Sequence, residues 1–249
     1  MKKILGLIPC RIGSRRLPGK ALLKINNYPL IVHVFKRAKL AKKLNDVYVC
    51  CDDIKIFKIV KNFGGKAILT SKKHKNGTER IAEAYKFLKK KYDLVVDIQG
   101  DEPLINPTHI DQVISFHLKN FKSDIIVPSL KIKQSQNKNI VKIVKDNSKN
   151  VLYFSRSSIP FNFKKKKISC SKHLSIISFK PSALIKYSKS NQTILEKTEG
   201  IELLRALEIG LKVKSPDFIG DSFSVDVRKD FIKAQIKITK DRYFKLYRG

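Results

Sequence analysis

The chain has 249 residues, of which 42% are hydrophobic, and it carries a formal net charge of +32. This length can bury a substantial core, and no apolar run approaches the roughly 20 residues of a membrane-spanning helix. The charge invites a nucleic-acid interpretation, but lysines are spread over nearly every segment and no aromatic residues interleave with them as a stacking platform. The four cysteines lack the spacing of a zinc site and favour a reducing compartment. We therefore expect a soluble, cytoplasmic protein with no membrane or nucleic-acid partner, whose cationic field attracts an anionic small substrate.

The first predicted strand, residues 4–8, stops at Pro9 and is followed by a cationic loop. This loop contains Gly13 and Gly19, and its charged side chains are those of Arg11, Arg15, Arg16 and Lys20. Glycine lets backbone N–H groups approach a phosphate, and Arg and Lys neutralise its charge. A buried first strand that ends in such a loop is typical of α/β folds that hold a nucleoside triphosphate. A plain basic surface loop is the alternative.

Strand and helix patterns then alternate along the chain. Short strands are predicted at residues 22–25, 47–52 and 66–69. A further strand is predicted within residues 94–105, and it breaks at Gly100 and Asp101. Helices are predicted at residues 30–40, from 54 to a stop at Gly64, and at 78–90. Repeated units of this kind imply a doubly wound, mostly parallel α/β sheet that binds ligands outside the carboxyl ends of its strands. The cationic loop and residues 99–103 both lie at such ends, so we expect them to converge.

Beyond about residue 124 the pattern loosens. Strands are predicted at residues 124–132, 140–144, 151–155 and 173–179, followed by a helix at 196–210 and a final helix from about 229. No internal repeat or linker separates two domains. We interpret residues 1–249 as a single domain in which residues 131–190 form an insertion that carries substrate or subunit contacts.

Two aspartates follow strand-like runs and are candidate metal ligands. Asp101 lies in the sequence QGDEP, and Asp226 lies between valines in SVDV. A hard cation such as Mg²⁺ takes carboxylate oxygens and keeps other positions for water or phosphate, and a buried carboxylate must be paired or coordinated. An ordinary acidic turn is the alternative for Asp101.

Other segments carry polar groups suited to ligand binding. The GTER segment, residues 77–80, begins a helix whose amides can hold an anion or a base carbonyl, although its Thr78 and Glu79 also suit an ordinary first turn. Arg156 lies in a loop flanked by hydroxyls and can clamp a carboxylate. Among the histidines, His33 is more typical of a helix face, and His74 and His173 are better candidates for a site.

Eight segments, in this order, resemble the 3-deoxy-manno-octulosonate cytidylyltransferase family, the CMP-Kdo synthetases of lipopolysaccharide synthesis. They run from residue 4 to about 230 and read IPCRIGSRRLPGK, HKNGTERIAEA, VDIQGDEPLI, NIVKIV, YFSRSSIP, KHLSI, GIELLRALEIG and SVDV. LPGK alone would be a weak signal, because related nucleotidyltransferases share it. LPGK followed by GTER and QGDEP at these spacings is specific.

The resemblance implies a fold like that of the nucleotide-diphospho-sugar transferases and a Mg²⁺-dependent transfer of CMP from CTP to the anomeric hydroxyl of Kdo, with release of pyrophosphate. It implies three groups of site residues: Arg11, Ser14, Arg16, Lys20, Thr78 and Gln99 for the nucleotide; Asp101 and Asp226 for Mg²⁺; and Gln99, Arg156, His173, Glu199 and Glu202 for the sugar. Within these groups it assigns catalysis to Lys20, Arg16 and the two aspartates. It also implies a homodimer in which the inserted segment makes subunit contacts.

Some sugar-facing positions depart from the family pattern, namely Ser175, Ile177 and Leu203. Two hydrogen-bonding groups are replaced by apolar ones there, which predicts a changed sugar such as 8-amino-Kdo or another ulosonic acid. Activation of a nine-carbon, sialic-acid-like substrate is a second enzymatic interpretation. A nucleic-acid-binding protein built on an inactive transferase fold is a third, but it would require loss of Lys20, Asp101 or Asp226, and all three are present.

Overall fold

The computed structural model describes residues 2–14, 16–164 and 169–248, so Arg15 of the cationic loop lies outside the described residues. Its strands are β1 (Ile4–Cys10), β2 (Lys24–Ile25), β3 (Tyr28–Pro29), β4 (Asp46–Cys51), β5 (Lys66–Leu69), β6 (Leu94–Ile98), β7 (Ile125–Ile126), β8 (Ser129–Lys133), β9 (Lys142–Lys145), β10 (Val151–Ser155), β11 (Ser169–His173), β12 (Ile176–Phe179), β13 (Val213–Lys214) and β14 (Asp217–Phe218).

The α-helices are α1 (Leu30–Ala38), α2 (Ile54–Asn62), α3 (Gly77–Phe87), α4 (Pro107–Lys119), α5 (Pro181–Lys189), α6 (Ile194–Glu199), α7 (Leu203–Glu208) and α8 (Arg228–Thr239). Short 3-10 helices occupy Lys20–Leu22 and Phe244–Leu246. Across the described residues, none of the helices combines the length and apolar character needed to cross a membrane.

The chain divides into two compact units. The first takes in the chain up to Asp111 together with the stretch from Ser222 onward, and the second is Gln112–Asp221. The second unit therefore interrupts the first in sequence, but it is larger than the predicted insertion at 131–190. The reason is strand pairing: β13 pairs with β7, and β14 pairs with β8, so residues on both sides of the predicted segment are hydrogen-bonded into the same unit.

The first unit is built on four parallel strands in the order β6-β1-β4-β5. Every residue of β1 and of β6 is buried, as expected for parallel strands covered on both faces. Helix α1 buries Ile31, Val34 and Ala38, which are spaced at helical intervals. This confirms the predicted α/β class and its mostly parallel sheet.

The register of these strands brings several loops to one edge of the sheet. Cys10 lies opposite Cys51, and Cys51 lies opposite Leu69. Leu7 lies opposite Asp97 on the other side of β1. The residues that follow β1, β4, β5 and β6 therefore leave the sheet at the same edge, as predicted for a parallel arrangement.

The second unit contains two groups of paired strands. One has β7 between β12, to which it is antiparallel, and β13, to which it is parallel. The other is a five-stranded sheet in the order β10-β9-β11-β8-β14, antiparallel except for the last pair. The predicted strand at 124–132 is divided at Pro128 into β7 and β8, and the predicted helix at 196–210 is divided into α6 and α7 at Gly200, which has φ of +62°.

His33 belongs to the core of the first unit, as its helix-face position predicted. Its Nε2 lies 2.8 Å from the carbonyl oxygen of Ile25 and its Nδ1 lies 2.9 Å from the hydroxyl of Tyr247. A carbonyl oxygen only accepts, so Nε2 carries the proton and Nδ1 accepts from the tyrosine. Burial lowers the pKa of His33 to about 4. The four cysteines are free thiols and all are buried.

Candidate active site

A cavity of about 500 Å³ opens at the carboxyl edge of the parallel strands, entirely within the first unit. This volume is in the range of small-molecule sites, roughly 300–1,000 Å³. Four segments line it: the cationic loop after β1, the stretch at 74–80 that leads into α3, the turn at 99–101 after β6, and Asp226 before α8. The two polar clusters predicted to converge therefore do so.

Gly77 and Gly100 let the backbone beside the cavity pack tightly against Pro9 at the end of β1. A Cβ on Gly100 would lie 2.5 Å from the carbonyl oxygen of Pro9, which no side chain can tolerate. A Cβ on Gly77 would lie 3.2 Å from the ring of Pro9. The turn after β6 and the first turn of α3 approach β1 this closely because neither residue has a side chain.

Asp101 and Asp226 meet around the ammonium of Lys20. Lys20 Nζ lies 2.9 Å from Asp101 Oδ2 and 3.6 Å from Asp226 Oδ1. Arg16 also contacts Asp226 Oδ1, at 2.8 Å. The two carboxylates, which are 125 positions apart in the sequence, therefore face one point in the cavity wall.

Backbone hydrogen bonds hold Asp226 in this position. The N–H of Val225 donates to the carbonyl oxygen of Asp101 at 2.9 Å, and the carbonyl of Val225 accepts from Lys20 Nζ at 2.9 Å. Asp230, in the first turn of α8, accepts from the N–H groups of Asp226 and Val227 at 3.2 Å each. These contacts fix the main chain on both sides of the Asp226 side chain.

This donor set fits a hard divalent cation. Two carboxylates already surround a positive charge there, and carboxylate oxygens are the ligands that Mg²⁺ prefers. No cluster of three or more His, Cys, Asp or Glu side chains suited to a metal lies within the part of the chain that the structure describes. A metal held by two carboxylates needs oxygens from substrate or water, as is usual for Mg²⁺ with phosphate ligands.

The other predicted nucleotide residues lie in or next to the cavity. Arg11 and Ser14 line it with Arg16 and Lys20, and Gln99 lines it from the turn after β6, where its amide donates to buried Asp97 at 3.0 Å. Thr78 is 1% exposed and is not among the described residues that line the cavity. In the GTER segment it is Gly77 that reaches the cavity directly, together with Arg80.

Asn76 and His74 also line the cavity and were not among the predicted nucleotide residues. Asn76 caps α3, because its side chain accepts from the N–H of Glu79 at 2.8 Å, and Asn before Gly-Thr-Glu is a recognisable cap signal. His74 Nε2 lies 2.7 Å from Glu83 Oε2. Burial raises the pKa of Glu83, but hydrogen bonds from His74 and the Ser71 N–H outweigh it and leave that pKa below its usual range.

The predicted sugar residues other than Gln99 lie in the second unit, where Arg156 and Glu199 are in contact. Glu199 accepts from the hydroxyl of Ser155 at 2.5 Å and from the N–H of Arg156 at 2.9 Å. The Arg156 guanidinium donates to three backbone carbonyls, those of Lys138, Glu199 and Gly200. In this arrangement Arg156 ties loops together, and a carboxylate substrate would have to use its remaining N–H groups.

The remaining sugar-side positions are spread through the same unit. His173 ends β11; its Nε2 is buried without a hydrogen-bond partner among the described residues, and burial lowers its pKa to about 4. Glu202 precedes α7, and its carbonyl accepts from the Tyr187 hydroxyl at 3.3 Å. Ile177 and Leu203 are 1% and 3% exposed, so burial accounts for their apolar character whichever sugar is used. Ser175 is half-buried.

Comparison with known proteins adds independent findings. Residues 5–214 match the sequence model of the cytidylyltransferase family. The 3-deoxy-manno-octulosonate cytidylyltransferase of Thermodesulfovibrio yellowstonii is 42% identical over 244 residues, covering 92% of this chain and 95% of the relative. The 8-amino-3,8-dideoxy-manno-octulosonate cytidylyltransferase of Shewanella pealeana is 40% identical, covering 94% and 98%. A solved CMP:2-keto-3-deoxy-manno-octonic acid synthetase complexed with CTP superposes with a TM-score of 0.90 at 30% identity, over 96% of this chain and 99% of that one.

Proposed function

Because this chain belongs to the 3-deoxy-manno-octulosonate cytidylyltransferase family, we propose that it transfers CMP from CTP to the anomeric hydroxyl of Kdo and releases pyrophosphate. One observation carries the proposal: Lys20, Asp101 and Asp226 come from distant parts of the chain and meet in the wall of a cavity of substrate size. Such an arrangement suits transfer of a nucleotidyl group to a sugar, because positioning and charge neutralisation provide most of the catalysis.

In the proposed reaction the cationic side chains act on the triphosphate. Attack by the sugar hydroxyl on the α-phosphorus builds negative charge on the phosphoryl oxygens, and Arg11, Arg16 and Lys20 line the cavity where that charge can be neutralised. Ser14 and Gln99 offer hydrogen bonds from the loop and from the turn after β6. Their role is to hold the nucleotide in line with the incoming hydroxyl.

We also propose that Mg²⁺ is the cofactor and that Asp101 and Asp226 hold it. When bound, the ion would supply charge neutralisation at the phosphates and lower the pKa of the sugar hydroxyl. The support is the convergence of the two carboxylates on one cationic group and their oxygen-only chemistry.

The proposed setting follows from the resemblance. We expect a cytoplasmic homodimer that supplies activated Kdo for lipopolysaccharide synthesis. Light scattering on the purified 28.5 kDa chain tests the dimer directly, and a mass near that of one chain at assay concentrations would rule it out.

The second candidate substrate is 8-amino-Kdo. Two relatives at 40% identity, from Shewanella pealeana and Shewanella frigidimarina, carry the name 8-amino-3,8-dideoxy-manno-octulosonate cytidylyltransferase. Because burial alone accounts for apolar Ile177 and Leu203, this candidate is supported by the names of those relatives rather than by the departures from the family pattern.

A pyrophosphate-release assay across nucleotides and sugar acids tests the proposal. With CTP we expect turnover on Kdo, weaker or no turnover on a nine-carbon sialic acid, and no comparable rate with UTP or ATP. A higher kcat/KM for 8-amino-Kdo than for Kdo would favour the second candidate. Absence of pyrophosphate release with CTP and either octulosonate would overturn both.

A further inference from the structure

Asp52, directly after β4, connects the cationic loop to α3. Its Oδ1 accepts from the backbone N–H of Ile12 at 2.9 Å, and its Oδ2 accepts from the guanidinium of Arg80 at 3.1 Å. The Asp52 and Arg80 side chains are only 9% and 4% exposed. A single carboxylate thus joins the backbone of the cationic loop to Arg80 on α3.

Arg80 is in turn held by residues at the ends of two strands of the sheet. Arg80 also donates to the hydroxyl of Thr70 at 2.7 Å and to the carbonyl of Ser71 at 3.2 Å. The Thr70 hydroxyl in turn donates to the carbonyl of Cys51 at 3.1 Å. Arg80 and Asp52 are therefore fixed by the ends of β4 and β5, and their placement does not depend on the loop.

The start of the loop is anchored through the backbone of Ile12. Within the described part of residues 11–19, the Ile12 N–H is the backbone donor that bonds outside the loop, and the turns Ser14 to Ile12, Lys20 to Leu17 and Leu22 to Gly19 are local. The later part of the loop is held by the Arg16 side chain, which contacts Asp226 at 2.8 Å, and by buried Leu17. The same loop supplies Arg11, Ser14 and Arg16 to the cavity. A buried hydrogen bond to a charged acceptor is among the stronger single contacts in a protein.

We propose that Asp52 is a positioning residue for the triphosphate-binding loop and that Arg80 acts through it. The inference rests on the proposed function for its substrate, CTP. The carboxylate holds the start of the loop in its binding conformation before the nucleotide arrives, so that less conformational freedom is lost on binding. Arg80 of the GTER segment then orients Asp52, with its guanidinium engaged by protein acceptors.

The test compares two neighbouring aspartates. Asp52→Ala removes the acceptor for Ile12, whereas Asp53→Ala removes an aspartate that accepts from the N–H of Lys55 and caps α2 without touching the loop. We expect Asp52→Ala to raise the KM and the dissociation constant for CTP by roughly tenfold, with a smaller change in kcat. Asp53→Ala should leave both constants within twofold. Asp52→Asn keeps an oxygen that can accept from Ile12, and it should fall between wild type and Asp52→Ala.

Amide hydrogen exchange separates this inference from the proposed function. The Ile12 amide should be protected in the wild type and lose protection in Asp52→Ala but not in Asp53→Ala, whatever the substrate is. Equal exchange at Ile12 in all three proteins would overturn the positioning role, even if the enzyme uses CTP. Failure of the wild type to bind CTP would overturn the proposed function and, with it, the catalytic purpose of the contact. If Asp52→Ala does not fold, Asp52→Asn decides: a KM for CTP equal to that of the wild type would overturn the proposal.

Discussion

Lys20 contacts both carboxylates of the cavity, and its ammonium marks the point that they share. An ammonium and a hydrated divalent ion differ in charge and coordination, but both need oxygens on more than one side. Asp101 and Asp226 provide them, each side chain being 30% exposed and so able to reach a ligand. Substitution of one of these two carboxylates therefore tests the metal proposal.

Asp101→Asn should abolish turnover while leaving the fold intact. The amide oxygen can still accept from Lys20, so packing is retained, but the charge needed to hold Mg²⁺ is lost. We expect kcat/KM to fall by about 100-fold or more and Mn²⁺ binding measured by electron paramagnetic resonance to weaken in parallel. Asp53→Asn, which removes a carboxylate outside the cavity, is the matched control for the loss of charge. Near-normal turnover of Asp101→Asn with an unchanged melting temperature would count against the metal assignment.

The positions of site residues that follow strands of the parallel sheet could be predicted from the sequence. The contacts of residues in the second unit could not. Arg11, Lys20 and Asp101 follow strands of one parallel sheet. Because the carboxyl ends of parallel strands lie at the same edge of a sheet, these residues are expected to lie near one another. Arg156 was expected to clamp a carboxylate from its hydroxyl-rich surroundings alone. That role stays a prediction, and the guanidinium also contacts the carbonyls of residues 138, 199 and 200, long-range partners that no local pattern reveals.

Helix α3 forms one wall of the cavity, and its first turn depends on a cap. Asn76 accepts from the N–H of Glu79, and Gly77 packs beside Pro9 in the next position. A shift of this turn would move the backbone that faces the nucleotide. The element is thus coupled to the site through its N-terminus.

Asn76→Ala should lower the free energy of unfolding by about 1 kcal/mol, because the N–H of Glu79 loses its acceptor. Urea unfolding followed by circular dichroism measures this, and Asn76→Asp, which keeps a capping oxygen, should retain most of the stability. We also expect a raised KM for CTP in the alanine variant. Equal stability of the alanine and aspartate variants would show that the cap contributes little.

Several elements with strong local signals were predicted, but two helices that carry such signals were missed. The glycine stop of α2 is confirmed, with Gly64 at φ of +73° just after the helix. Helix α4 was not predicted, although its buried Ile110, Val113 and Ile114 have helical spacing. Helix α5 begins with Pro181 at its first position, a start signal that the sequence interpretation passed over.

At the scale of the molecule, three histidines have lowered pKa values because their rings are shielded from solvent. His33 and His117 are fully buried, and His173 is half-buried with a buried Nε2. Burial lowers the pKa values of His33, His117 and His173 to about 4 each, from an ordinary value of 6.5. His117 is held by the Ser178 hydroxyl at 2.8 Å and the Ser123 carbonyl at 3.2 Å. Between pH 6.5 and 4 the unfolded chain therefore binds protons that the folded chain does not.

The free energy of unfolding should fall as the pH is lowered from 6.5 to about 4. Each histidine that stays neutral contributes a slope of up to about 1.4 kcal/mol per pH unit in this window. Carboxylates whose pKa values are lowered, such as Asp46, lose their contribution only at more acidic pH. Urea titrations across the window measure the slope, and His33→Gln should be less stable at pH 7.5 but show a shallower slope. A flat profile in the wild type would contradict the buried-histidine explanation.

The division of the chain was only partly readable from the sequence. The central segment carries no linker rich in Gly, Ser or Pro, which favoured a single domain of residues 1–249. The compact unit at Gln112–Asp221 is defined by pairings such as β14 with β8, which join residues almost ninety positions apart. Such partners are set by packing rather than by local composition.

The interruption of the first unit has a consequence for biosynthesis. Asp101 is translated before the whole of Gln112–Asp221, and Asp226 only after it. On the ribosome, the strands β1, β4, β5 and β6 can assemble while the second carboxylate has not yet been made. Under the proposed function, a chain that terminates before residue 226 would lack one of the two carboxylates of the site, and we expect it to show no turnover.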